Sequence, residues 1–165
     1  MSTTLRTVLF ILLFALITQM QINLDADKTA TRQLKNSLEL AVHDAALAVS
    51  PVDMANGRIV FDQNQAITNL SESLESNLRL ETSAGYVYTP KENSFFKEDL
   101  YVSHLEFIDD SMTSTYPFTY VNDDYDIMET VNGPSVIAVL TTESPRWFKG
   151  GTTYIRQAAV YEYIK

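Results

Sequence analysis

Cysteine is missing from all 165 residues, which removes disulfide frameworks, thiolate metal sites, iron–sulfur clusters and cysteine nucleophiles. Histidine is nearly missing, with only His43 and His104, a thin supply for chemistry that needs a base and a group to orient it. H-E-x-x-H, G-x-S-x-G, the P-loop pattern and G-x-G-x-x-G are all absent, so proteolysis, esterase chemistry and nucleotide binding have no warrant. Positive charge is scarce as well. Twelve Lys and Arg face 21 Asp and Glu, for a net charge of −9, so the chain repels nucleic acid rather than gathering it. No repeat or low-complexity tract is visible, which excludes a solenoid. What remains reads as a structural or binding protein, with no cofactor, enzyme activity or metal site expected and an enzyme without a recognisable motif as the third reading. Its size suits one domain, or a small domain with an accessory element.

Glycine and proline number five each, and neither occurs before Pro51. The segment Thr7 to Leu24 carries no charge, and Val8 to Ile17 is unbroken apolar sequence. At 1.5 Å per residue its 18 residues span roughly 27 Å as a helix, near the hydrocarbon thickness of a bilayer. A retained anchor is the preferred reading. A cleavable signal peptide competes with it, but no A-x-A-like site follows. A buried core helix is disfavoured because the segment is apolar all round. Beyond the anchor, 11 basic and 21 acidic residues leave a net charge of −10. Arg6 and a short N-terminus favour an N-in, C-out topology at the cell membrane, although Lys28, Arg32 and Lys35 lie on the other side.

With no breaker before Pro51, one helix is expected over residues 4 to 49. Ile17, Met20, Leu24, Asp27, Thr31, Leu34, Leu38, Ala41, Ala45 and Ala48 follow a strict 3,4 spacing, the period of a seam that packs against other helices. Val42 and Val49 widen it, and its alanines allow close approach. The seam reads as a self-assembly surface, with Asp27 meeting Lys28, Arg32 or Lys35 of a neighbouring copy, or staying wet in a lone stalk. The alternative is that its distal half covers the sheet of its own domain. Both uses fit along one helix.

Pro51 and Asn56-Gly57 mark an elbow, and Arg58 to Asp62 reads as a short strand. Asp62 caps a second helix from Gln63 to about Leu80, apolar at Ala66, Leu70, Leu74 and Leu78. From Glu81 on, the chain holds all nine tyrosines and 15 of the 18 aromatic residues, so β-structure should dominate. Candidate strands are Gly85 to Thr89, Leu100 to Ile108, Pro117 to Val121, Asp126 to Val131, Ser135 to Thr142 and Thr152 to Ile164. The expected class is α+β: a long N-terminal apolar and amphipathic helix over residues 1–50, then an acidic head over 51–165 with one further helix and an antiparallel sheet. Residues from Ser50 onward are expected to fold alone.

Four smaller features carry alternatives. Asp109-Asp110 and Asp123, Asp124, Asp126 and Glu129 offer oxygen ligands for calcium but lack the EF-hand pattern, so solvated turns are the plainer reading. His43 reads as a surface residue and His104 as a half-buried, hydrogen-bonded strand residue. The tract Pro145 to Gly151 sets Trp147 and Phe148 among cations, a composition of binding surfaces and membrane interfaces. A hairpin loop with Trp147 plugging the sheet is the alternative. Asn69-Leu70-Ser71 matches a glycosylation sequon on a helix.

An apolar N-terminal helix running into an Ala-rich helix over Val8 to Val49, then an elbow and an acidic β-rich head, resembles the bacterial type IV pilin-like proteins, particularly the TadE-like group. The resemblance covers about a third of the chain, and no Gly precedes Gly57, so no residue of the pilin N-terminal motif carries over. It implies a structural subunit of an extracellular pilus-like filament, a homopolymer assembled through the apolar helix and held in the membrane beforehand. The rival expectation is a monomeric, membrane-tethered extracytoplasmic binding domain. Imaging of sheared surface material separates the two.

Overall fold

A backbone with no helix breaker for 50 residues has little reason to turn, and it does not. In the computed structural model, which describes residues 3–113 and 115–163, helix α1 runs unbroken over Thr3–Ala46. It stops three residues short of Val49, and Ser50, the residue before a proline, is kept out of the helical region. Ser50 is extended, at φ −61 and ψ 116, and Val49 bridges to Phe61. Pro51 then fills the first position of a one-turn helix, α2 (Pro51–Ala55), with Ser50 as its cap. The elbow is therefore helical. The short strand expected over Arg58 to Asp62 is reduced to that single bridge.

The buried Asp109 explains how this segment is held. Its Oδ2 accepts from the Phe61 N–H at 3.0 Å, and its Oδ1 accepts from Ser111 N–H and Oγ–H. Asp110 accepts from the Ile59 N–H at 2.6 Å. Carboxylates bonded to backbone amides replace a strand partner here, and charge-assisted bonds of this kind are about twice as strong as neutral ones. These two acids are engaged by the fold. In the other acidic loop the Asn122 side chain accepts from the N–H groups of Asp124 and Tyr125. Among the described residues no group of three or more ligating side chains converges.

Helix α3 (Gln63–Leu78) begins at Asp62, whose side chain accepts from the Gln65 N–H. It ends two residues before the expected Leu80 because Arg79 turns into the left-handed region at φ 56. Strand β1 (Leu80–Ala84) starts at once and pairs with β2 (Val87–Pro90) across a turn where Gly85 takes φ +56. That conformation is nearly free for glycine. The expected strand Gly85 to Thr89 thus becomes a turn and a strand, and β1 is an addition.

The remaining strands are β3 (Leu100–Ile108), β4 (Phe118–Asn122), β5 (Ile127–Val131), β6 (Ser135–Glu143) and β7 (Tyr154–Glu162). Each overlaps its expected span, apart from Ile164 of the last one, which lies outside the described residues. Five strands form an antiparallel sheet in the order β1-β2-β3-β6-β7, and β4 and β5 form a separate hairpin. The protein is α+β.

Alternation along β6 organises the interior. Val136, Ala138 and Leu140 point into a core with α1 and α3, while Ile137 and Val139 point into a smaller one with Ile108, Tyr120, Ile127 and Val131. The layers are helices, sheet and hairpin, so β6 is buried on both faces over Ser135 to Leu140. Burial raises the Tyr88 phenol above its ordinary value although Ser71 hydrogen-bonds it. Burial, then the charges of Asp110 and Asp109, pushes Tyr116 up to about 12.

Candidate functional site

Helix α1 has two halves with different surroundings. Its apolar window of 18 residues is 0% buried, with Leu5, Val8 to Leu13, Phe14, Leu16, Ile17, Met20, Ile22 and Leu24 all exposed. This half is long and apolar enough to cross a membrane. From Asn23 the same helix enters the head and buries Ala26, Ala30, Leu34, Ser37, Leu38, Ala41, Val42, Ala45 and Ala46. These residues pack on α3, β6 and β7.

The proposed self-assembly seam therefore divides. Leu34, Leu38, Ala41, Ala45 and Ala48 belong to the chain's own core and have no surface to give a neighbour. This is a correction, and it also corrects the division at residue 50, since half of α1 is part of the head. Ile17, Met20 and Leu24 remain exposed. The two polar members sit at the edge of the buried stripe, which runs through Asn23, Ala26 and Ala30 one residue earlier than the apolar spacing suggests. Small side chains on that line bring the helix close to the sheet. The Thr31 hydroxyl donates back to the Asp27 carbonyl at 2.8 Å.

Asp27 finds its partners within the chain. Its carboxylate meets the Arg146 guanidinium at 3.3 Å and accepts from the Ser144 hydroxyl. The expected pairing with Lys28, Arg32 or Lys35 of a neighbour is thus corrected, because a cis cation already satisfies the acid. Arg146 also donates to the Thr153 hydroxyl, closing the base of the loop between β6 and β7.

One turn nearer the N-terminus, Asn23 holds the tip of that loop. Its Oδ1 accepts from the N–H groups of Trp147 and Phe148, each at 3.2 Å, and its Nδ2 donates to the Phe148 carbonyl at 3.1 Å. A carboxamide suits this work because it offers donor and acceptor on one short arm. Trp147 stays 60% exposed and Phe148 36%, so the indole does not plug the sheet. Between helix and loop lies a groove of about 540 Å³ lined by Ile17, Met20, Gln21, Asn23, Leu24, Asp27 and Arg146. Sequence reasoning singled out Trp147, Phe148 and Asp27 but missed Asn23, Ser144 and Arg146. No local pattern signals a contact across more than a hundred residues.

Asn23→Ala removes all three bonds, each worth about 1 kcal/mol net. Trypsin should then cut after Lys149 roughly tenfold to a hundredfold faster, through easier local opening. Far-UV circular dichroism should be unchanged. Equal cleavage rates would show that Asn23 does not hold the loop.

The other residues of interest are structural. His104 hydrogen-bonds the Tyr120 hydroxyl at 2.7 Å and stacks on Tyr125 at 5.2 Å, which fastens the hairpin to β3. His43 is half-buried, beside Asp44 and edge-on to Tyr161. Asn69 donates its amide to the Asp44 carbonyl of α1 at 3.1 Å, so the sequon nitrogen is engaged in helix pairing.

Compared with protein-family models, with curated proteins and with solved structures, the chain matches none. Its functional reading rests on this geometry.

Proposed function

We propose that this chain is a single-pass membrane protein, N-in, whose acidic head stands outside the cell and whose exposed apolar helix packs against copies of itself in a pilus-like filament. The observation that carries the reading is the wholly exposed apolar half of α1, continuous with a half locked into the head. Soluble monomers rarely expose apolar patches beyond a few hundred Å², and larger ones mark interaction sites. On the order of 1,000 Å² of apolar helix, at about 25 cal/mol per Å², represents roughly 25 kcal/mol of gross transfer from water. Lipid hides such a surface, and so do neighbouring copies. Transfer from the first to the second gains much less. The groove beside Ile17, Met20 and Leu24 supports helix packing at the point where the apolar half meets the head. In this reading the protein is structural and not an enzyme, as the resemblance to TadE-like pilins implies.

The cis pairing of Asp27 and the burial of Leu34 to Ala48 favour a second reading, a monomeric tethered binding domain. Much of the seam is already spent. Cryo-electron microscopy of sheared surface material from expressing cells separates them. Filaments with α1 at the centre are expected, and finding only detergent-soluble monomers overturns assembly in favour of the tether.

A further inference from the structure

The loop Pro145 to Gly151 joins two strands of the head, yet its tip is fixed against α1. Asn23 is the last residue but one of the uncharged run, one place before Leu24 and two before Asp25. Side chains on a helix lean toward its N-terminus, so the three bonds from Asn23 hold the tip beside the last apolar turn rather than higher on the head. Counted from Thr7 to Leu24, the apolar half is roughly 27 Å long at 1.5 Å per residue. If that length fills the hydrocarbon layer, the boundary falls at Leu24 and Asp25, within one turn of Asn23.

We propose that Trp147 and Phe148 form an interfacial anchor that sits in the headgroup layer of the same bilayer that α1 crosses and fixes how deeply the head rides. The proposal rests on the membrane-spanning part of the reading above and is independent of filament assembly. The composition fits that place. Trp is enriched at the membrane–water boundary because its ring is apolar and its N–H is polar. Trp147 and Phe148 are exposed on a loop whose backbone is already held, so little ordering is lost on contact with lipid. Exposed Lys149 beside them, with Lys28 and Arg32 about one and a half and two and a half turns up the helix from Asn23, brings cations toward the phosphate level in a head that is otherwise acidic. Asp25 and Asp27 lie on the same stretch of helix, and the second is paired with Arg146. In water Trp147 stays 60% exposed and Phe148 36%, and the continuous apolar surface of the helix beside them indicates lipid as the cover.

Trp147 is the only tryptophan, so its fluorescence reports the loop alone. The full chain is placed in dilute proportion into vesicles of phosphatidylcholine and phosphatidylglycerol, recovered by flotation, and compared with vesicles whose acyl chains carry bromine near the glycerol end or near the methyl end. Expected are a blue-shifted emission, roughly halved by the shallow bromines and little affected by the deep ones, with weak quenching by aqueous iodide, as for an indole in the interfacial belt. Asn23→Ala should float equally well but lose most of the shallow quenching. Wild type that floats, yet is quenched by iodide and not by either bromine, overturns the interfacial anchor alone. Protein that fails to float overturns the membrane-spanning reading and this proposal with it.

Discussion

Expressed without its first 49 residues, the chain should fail to fold, giving no near-UV circular dichroism and no cooperative unfolding. Residues 23–165 should fold as a monomer with both. Sequence alone favours the opposite for the shorter fragment, because the strands and α3 look sufficient for a core. The structure shows why they are not. Leu34, Leu38, Val42 and four alanines of α1 fill the space between α3 and the sheet. Losing three large apolar side chains at roughly 2 to 3 kcal/mol each, together with the alanines, exceeds about 8 kcal/mol. Domains hold only about 5 to 15 kcal/mol in total. Molten behaviour of 50–165 is the expected result, and a cooperative transition would show that α1 merely leans on the head. The start at Asn23 matters, since it removes the exposed apolar half and keeps the residue that holds the loop.

The second large effect lies in that apolar half. Leu13→Asp with Leu16→Asp places two carboxylates near its middle, where each costs about 3 kcal/mol on an insertion scale. The sum, about 6 kcal/mol, corresponds to roughly four decades in partition between membrane and water. The double variant should leave the membrane fraction, form no filaments, and keep the thermal transition of the head. Both leucines are exposed and touch nothing in the head. Retention in the membrane pellet, or filaments of normal spacing, would remove the apolar helix from its assigned role.

The elements that could be read from sequence are those with local causes. α3 was legible from its Asp62 cap and i+4 apolar residues, and β6 and β7 from β-branched and aromatic composition bounded by glycine-containing turns. Where the cause is remote, sequence gives no sign. Arg79 ends α3 in a left-handed conformation that usually selects glycine, so nothing announced β1. Asp109 and Asp110 read as solvated turns, with calcium as the alternative, because their partners, the amides of Phe61 and Ile59, lie some 50 residues away. The seam on α1 was the subtlest case. A 3,4 pattern states that one face is covered but not by what, and a sheet of the same chain is as good a cover as a neighbouring helix. Choosing Leu24 over Asn23 also misplaced its first half by one position. Hydrophobicity favours the leucine, whereas the contact needed an amide.

Because α1 passes from its apolar half into the core with no break, orientation is transmitted along with attachment. A flexible linker would let the head wander, but a single rod makes it a lever. The 24 residues from Asn23 to Ala46 extend roughly 36 Å at 1.5 Å per residue, so a tilt of about 20°, ordinary for a spanning helix, swings the far end sideways by roughly 12 Å. If α1 spans a bilayer as proposed, a change in bilayer thickness would therefore tilt the whole head with it.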